Sequence, residues 1–125
     1  KEKNRFSWIC SDQQVVQDYS DSEYCGFTFS DDAYLALFDL MKRAYDVKHW
    51  NCTKPKMPVL FISGADDPCM GNVRHFAKAV RAMRQAGYQD VRGKLYPGMR
   101  HEILNEADRK RVYHDIFIYI HKKEL

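Results

Sequence analysis

Apolar residues are distributed along this chain in three patterns, and each predicts a different element. Between Pro58 and Gly64 they run unbroken through Val59, Leu60, Phe61 and Ile62, as in a strand buried on both faces within a parallel sheet. Tyr34, Leu35, Leu37, Phe38, Leu40, Met41 and Tyr45 instead recur at helical spacing up to about Asp46. Ser30 is placed to N-cap that helix, with Asp31 and Asp32 in its first turn. Val73, Phe76, Ala77, Ala79, Val80 and Met83 predict another helix, starting at Gly71 or Asn72 and ended by Gly87 as a left-handed C-cap. Residues 91–96, VRGKLY, alternate and predict a second, weaker strand. A closing helix follows from Asn105 and Asp108, with Val112, Ile116 and Ile120 as its core face, Tyr113 and Phe117 beside it, and Lys122 and Lys123 in its last turn.

Strand, helix and strand in succession make a right-handed βαβ unit, so the fold class is α/β with two parallel strands. The first 32 residues are aromatic but irregular: Phe6, Trp8, Tyr19, Tyr24, Phe27 and Phe29 stand between Ser/Asp clusters. Ser11 followed by Gln14 reads as a capping box opening a short helix to about Tyr19. Residues 47–56, with Trp50 and Pro55, read as a linker, and there is no internal repeat or low-complexity segment.

Composition narrows the function classes. A chain of 125 residues is long enough for one domain with a buried core. At 45% hydrophobic and 14% aromatic it is not a disordered tail. The net charge of +3 comes from 20 basic and 17 acidic residues without a basic block, so nucleic acid is not an expected partner. Cys10, Cys25, Cys52 and Cys69 are widely spaced and form no CxxC pattern. They point to a reduced, cytoplasmic protein rather than a disulfide scaffold or a metal cluster. No segment resembles a signal peptide, and no apolar run approaches the ~20 residues of a membrane span, so stable membrane insertion is not expected. The chain opens on KEKNRF without Met, as if cut from a longer protein.

The residues with chemical potential collect in two loops. Asp66 and Asp67 lie just past the carboxyl end of the first strand, and His101 lies in the loop YPGMRHE after the second. Parallel strands place both loops at the same sheet edge, where open α/β sheets bind ligands. A carboxylate beside an imidazole fixes its tautomer and stabilises the imidazolium formed in acyl transfer. Taken singly, Asp-Asp-Pro is a good turn and a loop histidine is an ordinary surface residue; the pairing is what gives them weight. Cys69, near a helix N-terminus, could form a dyad with His101, although a small packing residue is the simpler account. Asp66 and Asp67 as a divalent-cation site lack further ligands, so no metal or cofactor is expected. His75 and His114 are read as partly buried face residues, and His49 and His121 as surface ones. Arg100 either pairs with a nearby acid to brace the loop or is solvated.

PVLFISGADDP resembles the strand and acid loop of α/β-hydrolases of the lysophospholipase and monoacylglycerol-lipase type, also grouped as serine aminopeptidase S33-like hydrolases. YPGMRHEILNE resembles their histidine loop, and NRFSWICSDQQVVQDYSDSEYCGFTF is similar to their helical cap. The resemblance implies the C-terminal part of such a fold. Residues 1–50 would form a partial cap, and residues 51–125 a strand-helix-strand-helix portion of the core. The family's Gly-x-x-Asp spacing from Gly64 places the triad acid at Asp67 and leaves Asp66 as a turn residue; Gly98 likewise leads to His101 as general base. The implied substrate is a small-molecule acyl ester such as a monoacylglycerol or lysophospholipid. The aromatic cap then serves either as a wall for the acyl chain or as plain packing against the body.

One departure is large. No GxSxG is present, and Ser7, Ser11, Ser20, Ser22, Ser30 and Ser63 all lack the flanking glycines. The nucleophile is therefore expected upstream of Lys1, and the chain alone is expected to be inactive. The competing class is a non-catalytic α/β binding or assembly domain. Two strands leave exposed edges, which predicts a homo-oligomer or association with the missing N-terminal half through the first strand.

Overall fold

In a computed structural model of the chain, residues 4–122 are described. Two short helices come first, α1 (Gln13–Asp21) and α2 (Asp31–Ala44), then β1 (Val59–Gly64), α3 (Val73–Gln85), β2 (Val91–Tyr96) and α4 (Arg109–Lys122). Single 3-10 turns occupy Val47–His49 and Pro68–Met70. β1 and β2 pair in parallel, from Val59 opposite Val91 to Gly64 opposite Tyr96, and α3 makes the crossover. Its start is fixed by Asn72, whose side chain accepts from the amides of Arg74 and His75, and Gly87 follows its C-cap residue Ala86. The α/β class and the parallel pair thus follow the apolar pattern.

Two clusters form the core. Tyr96, Met99, Ile103 and Val112 pack with Ile62 and Ile116 beneath the sheet edge. Ile9, Cys10 and Val16 make a second cluster with Phe6, Trp8, Val15 and Tyr19. A backbone bond from Glu102 N to Ile9 O, at 2.8 Å, ties the second cluster to the loop after β2. None of the four cysteines is in a disulfide. Among the described residues, no helix is long and apolar enough to cross a membrane.

Several local expectations give way to tertiary context. β1 is only half-buried from Val59 to Ile62, since it has a single strand neighbour. α2 forms where the periodicity places it, capped by Ser30, yet none of its residues is buried. α1 starts after Asp12, whose carboxylate accepts from Gln14 N at 2.9 Å; Ser11 does not cap, because its hydroxyl donates to Glu106. Residues 105–108 form turns, so α4 starts at Arg109. Lys123 lies outside the described residues.

The face of α4 follows the expectation at Val112 and Ile116 but not at its last turn. Val112 is buried but Ile120 is 68% exposed, and the acid Asp115 points inward instead. Asp115 accepts from Tyr96 Oη at 2.9 Å and pairs with Lys94 Nζ at 2.6 Å. Burial pushes its carboxyl upward, but hydrogen bonds from Lys94 and Tyr96 outweigh that, holding it below the ordinary carboxylate range. Burial and the same carboxylate raise the Tyr96 phenol. Polar pairing therefore joins β2 to α4 beside the apolar contacts of Val112 and Ile116.

Candidate active site

The acid loop is stitched to the end of β2 by backbone bonds. Ala65 N donates to Tyr96 O at 2.9 Å, and Asp66 N to Met99 O at 3.0 Å. At Gly64 the two loops come so close that a Cβ there would lie 2.1 Å from Arg100 O and 2.3 Å from Met99 O. Both are main-chain atoms of the histidine loop and cannot rotate away. Gly64→Ala is therefore expected to cost about 3 kcal/mol or more, read as a lower urea midpoint at unchanged m-value. A midpoint within error of the parent would refute this contact. On the other side, Gly98 holds the left-handed φ of 76° that turns the chain out of β2, and buried Met99 anchors the loop.

Asp67 uses its two oxygens separately. Oδ1 accepts from Cys69 N at 2.8 Å, capping the turn Pro68–Met70. Oδ2 lies 3.0 Å from His101 Nδ1. Asp67 is only 7% exposed, whereas the His101 side chain is 45% exposed, with its ring reaching solvent. Asp66 points to solvent. Of the two acids, the structure brings Asp67 to the imidazole.

Trp8 packs against that imidazole, its ring centroid 5.1 Å away at an interplanar angle of 56°. Residues 7–11 are held there by main-chain and carboxylate bonds. The Arg100 guanidinium donates to Ser7 O. Glu106, 1% exposed, accepts from Arg100 N at 2.7 Å, from Ser11 N at 3.1 Å and from the Ser11 hydroxyl. The Cys10 thiol beside it is pushed up to about 11, by burial first and then by the Glu106 charge. Glu106 escaped the sequence reading: it sits in the polar stretch NEAD, where a surface position is expected, and its partners are mostly backbone amides, which leave no pattern. The one available signal was its position five residues past His101.

A cleft of about 890 Å³ opens beside the pair, lined in part by Phe61, Ile62, Phe76, Asp67 and His101. Cys69 borders it and is exposed. Its thiol is raised by partial desolvation and then by the Asp67 carboxylate, the opposite of what an activated cysteine nucleophile needs. With Nδ1 of His101 already facing Asp67, the cysteine–histidine dyad loses support. His75 and His114 are exposed rather than partly buried. His49 sits by Asp46 with Nδ1 2.8 Å from Oδ2, and His121 lies on the surface with Nδ1 2.8 Å from Phe117 O.

Comparison with known proteins bears on the family and the fold. The family described as serine aminopeptidase, S33, matches residues 1–108. Among solved structures, the chain is similar to a highly thermostable carboxyl esterase from Bacillus coagulans in complex with glycerol. The TM-score is 0.82 at 26% identity, over 96% of this chain and 39% of that one. It shares its fold with a lipase in an open form, at a TM-score of 0.75 and 23% identity, over 90% of this chain and 36% of the other. The chain spans less than two-fifths of the length of either structure. No curated protein gives a significant match.

Proposed function

The chain belongs to the serine aminopeptidase S33 family of α/β-hydrolases, and from that we propose that Asp67 and His101 are the acid and base of a Ser-Asp-His esterase. The observation carrying this reading is the 3.0 Å contact between a buried Asp67 oxygen and Nδ1 of an accessible imidazole. Asp67 receives the Nδ1 proton in a hydrogen bond, which leaves Nε2 as the basic atom. Nε2 then removes the proton of a serine hydroxyl as the serine attacks the ester carbonyl, and returns it to the leaving alcohol. In deacylation the same atom takes a proton from water. Asp67 stays ionised throughout and stabilises the imidazolium. No serine within these 125 residues lies in a GxSxG elbow, so the nucleophile is assigned to a part of the protein outside them.

A lipid-like acyl ester, such as a monoacylglycerol or lysophospholipid, is favoured by the apolar walls that Phe61, Ile62 and Phe76 give the cleft. Residues 1–50 are assigned to the cap and residues 51–125 to the core. In this reading the rest of the hydrolase fold covers the unpaired edge of β1 and the apolar face of α2. The test is a substrate panel on a protein carrying this segment together with a GxSxG elbow: 4-nitrophenyl acyl esters and monoacylglycerols beside aminoacyl amides. Hydrolysis of the esters, favouring the longer acyl chains, is expected. Cleavage of the amides alone would overturn the substrate class, and no hydrolysis of either would overturn the triad.

A further inference from the structure

We propose that Asp67, Cys69 and His101 form a zinc-binding site that, when filled, switches the Asp67–His101 pair off. One ligand atom from each residue lies within 4.8 Å of the other two. Asp67 Oδ2 and His101 Nδ1 are already 3.0 Å apart. Zinc binds carboxylate, imidazole and thiolate at about 2.0–2.3 Å, so a tetrahedral ion spaces such atoms by roughly 3.3–3.6 Å. The acid and the imidazole are therefore nearly in place, and the sulfur has to close by about 1.5 Å at most, a distance within reach of a χ1 adjustment. Cys69 is exposed and can make that adjustment. All three residues line the same open cleft, so an ion reaches them from solvent and its fourth position stays open to water or an anion.

The donor set selects the metal. Magnesium and calcium want oxygen ligands, whereas one sulfur, one nitrogen and one oxygen suit a borderline-soft ion of tetrahedral preference. Binding replaces the S–H bond of Cys69 by an S–Zn bond and releases that proton to solvent. It also replaces the Asp67–His101 hydrogen bond by two metal bonds. The consequence for chemistry follows from the tautomer. With the Nδ1 lone pair on zinc, the neutral ring carries its proton on Nε2, the atom that must be free to accept one from a serine. The metal is then an inhibitor, held by the residues that otherwise make the base. That consequence rests on the hydrolase reading; the binding itself does not.

Cobalt(II) serves as the probe, titrated into the full 125-residue chain under reducing conditions. A thiolate-to-cobalt charge-transfer band with intense visible d–d absorption, saturating at one equivalent and removed by added zinc, is expected. Cys69→Ser is a substitution at an exposed position and should abolish the band, and His101→Ala should abolish the tetrahedral d–d intensity. Zinc affinity in competition with a chromophoric chelator should fall by at least about 100-fold in either variant, the upper end of what losing even an outer-shell partner costs. A band or affinity unchanged in both variants would place the metal on other thiols and overturn the site, as would no band in the parent chain. These readouts need no turnover. A failed substrate panel with an intact cobalt spectrum therefore rejects the esterase and keeps the metal site, and the reverse result does the opposite.

Discussion

Asp67→Asn in a complete enzyme carrying this segment is expected to lower kcat for ester hydrolysis by about four orders of magnitude, with KM little changed. The physical reason lies in the separate duties of the two oxygens. Asn keeps a carbonyl oxygen that can accept from Cys69 N, so the turn Pro68–Met70 and the stitched loop survive. Its amide group then faces His101 Nδ1 and donates to it, which favours the tautomer with the proton on Nε2. It also removes the negative charge that stabilises the imidazolium in the transition state. The loss is thus confined to chemistry, and circular dichroism and the urea midpoint should stay close to the parent. Asp66→Asn is the matched control, because Asp66 is exposed, and its kcat should remain within about twofold of the parent, as for most surface substitutions. Near-parental turnover by Asp67→Asn would end the assignment of Asp67 as the triad acid.

That the Asp66–Asp67 loop would face His101 could be foreseen because it depends on topology more than on packing; the choice of Asp67 over Asp66 rested on the family resemblance. Once an apolar run and an alternating run are joined by a capped helix, parallel strands follow, and their carboxyl-end loops must meet. The cap at Ser30 is local chemistry and was equally readable, whereas the helix start left between Gly71 and Asn72 is decided by the Asn72 side chain. The sequence could not say what covers a face. Periodicity marked the apolar side of α2, but all of it is left exposed, since covering a face needs a partner element that no spacing encodes. The same limit explains β1, whose solid apolar run promised burial on both sides. Asp115 was hidden for another reason: a carboxylate within an apolar helix face reads as a surface position until Lys94 and Tyr96 are seen to meet it. The resemblance reads the aromatic front as cap, and no spacing could show that its Trp8 lies against the imidazole, a contact spanning most of the chain.

Glu106→Ala is expected to remove several kcal/mol of stability, and to do so first at that front segment. The carboxylate is buried and accepts from Arg100 N, Ser11 N and the Ser11 hydroxyl. Truncation leaves these donors facing a cavity, at about 1–3 kcal/mol for each one left unsatisfied. Residues 7–11 are held to the histidine loop by these bonds, by Glu102 N to Ile9 O and by Arg100 to Ser7 O. Losing the carboxylate should therefore release Trp8 from His101 before the sheet unfolds. In a Trp50→Phe background, which leaves Trp8 as the only tryptophan, the expected result is a red-shifted emission together with a lower urea midpoint. Glu106→Gln should be milder, at about 1–2 kcal/mol, the scale of a charge-assisted hydrogen bond weakened to a neutral one. Its amide oxygen can keep the Arg100 and Ser11 amides, while the Ser11 hydroxyl turns to accept from the new NH₂ group. The ordering Ala worse than Gln separates a hydrogen-bonded clamp from a mere volume filler, for which Gln, nearly isosteric with Glu, would match the parent. If Glu106→Ala left both the emission and the midpoint unchanged, the clamp would be wrong, and Trp8 would be held against His101 by its apolar cluster alone.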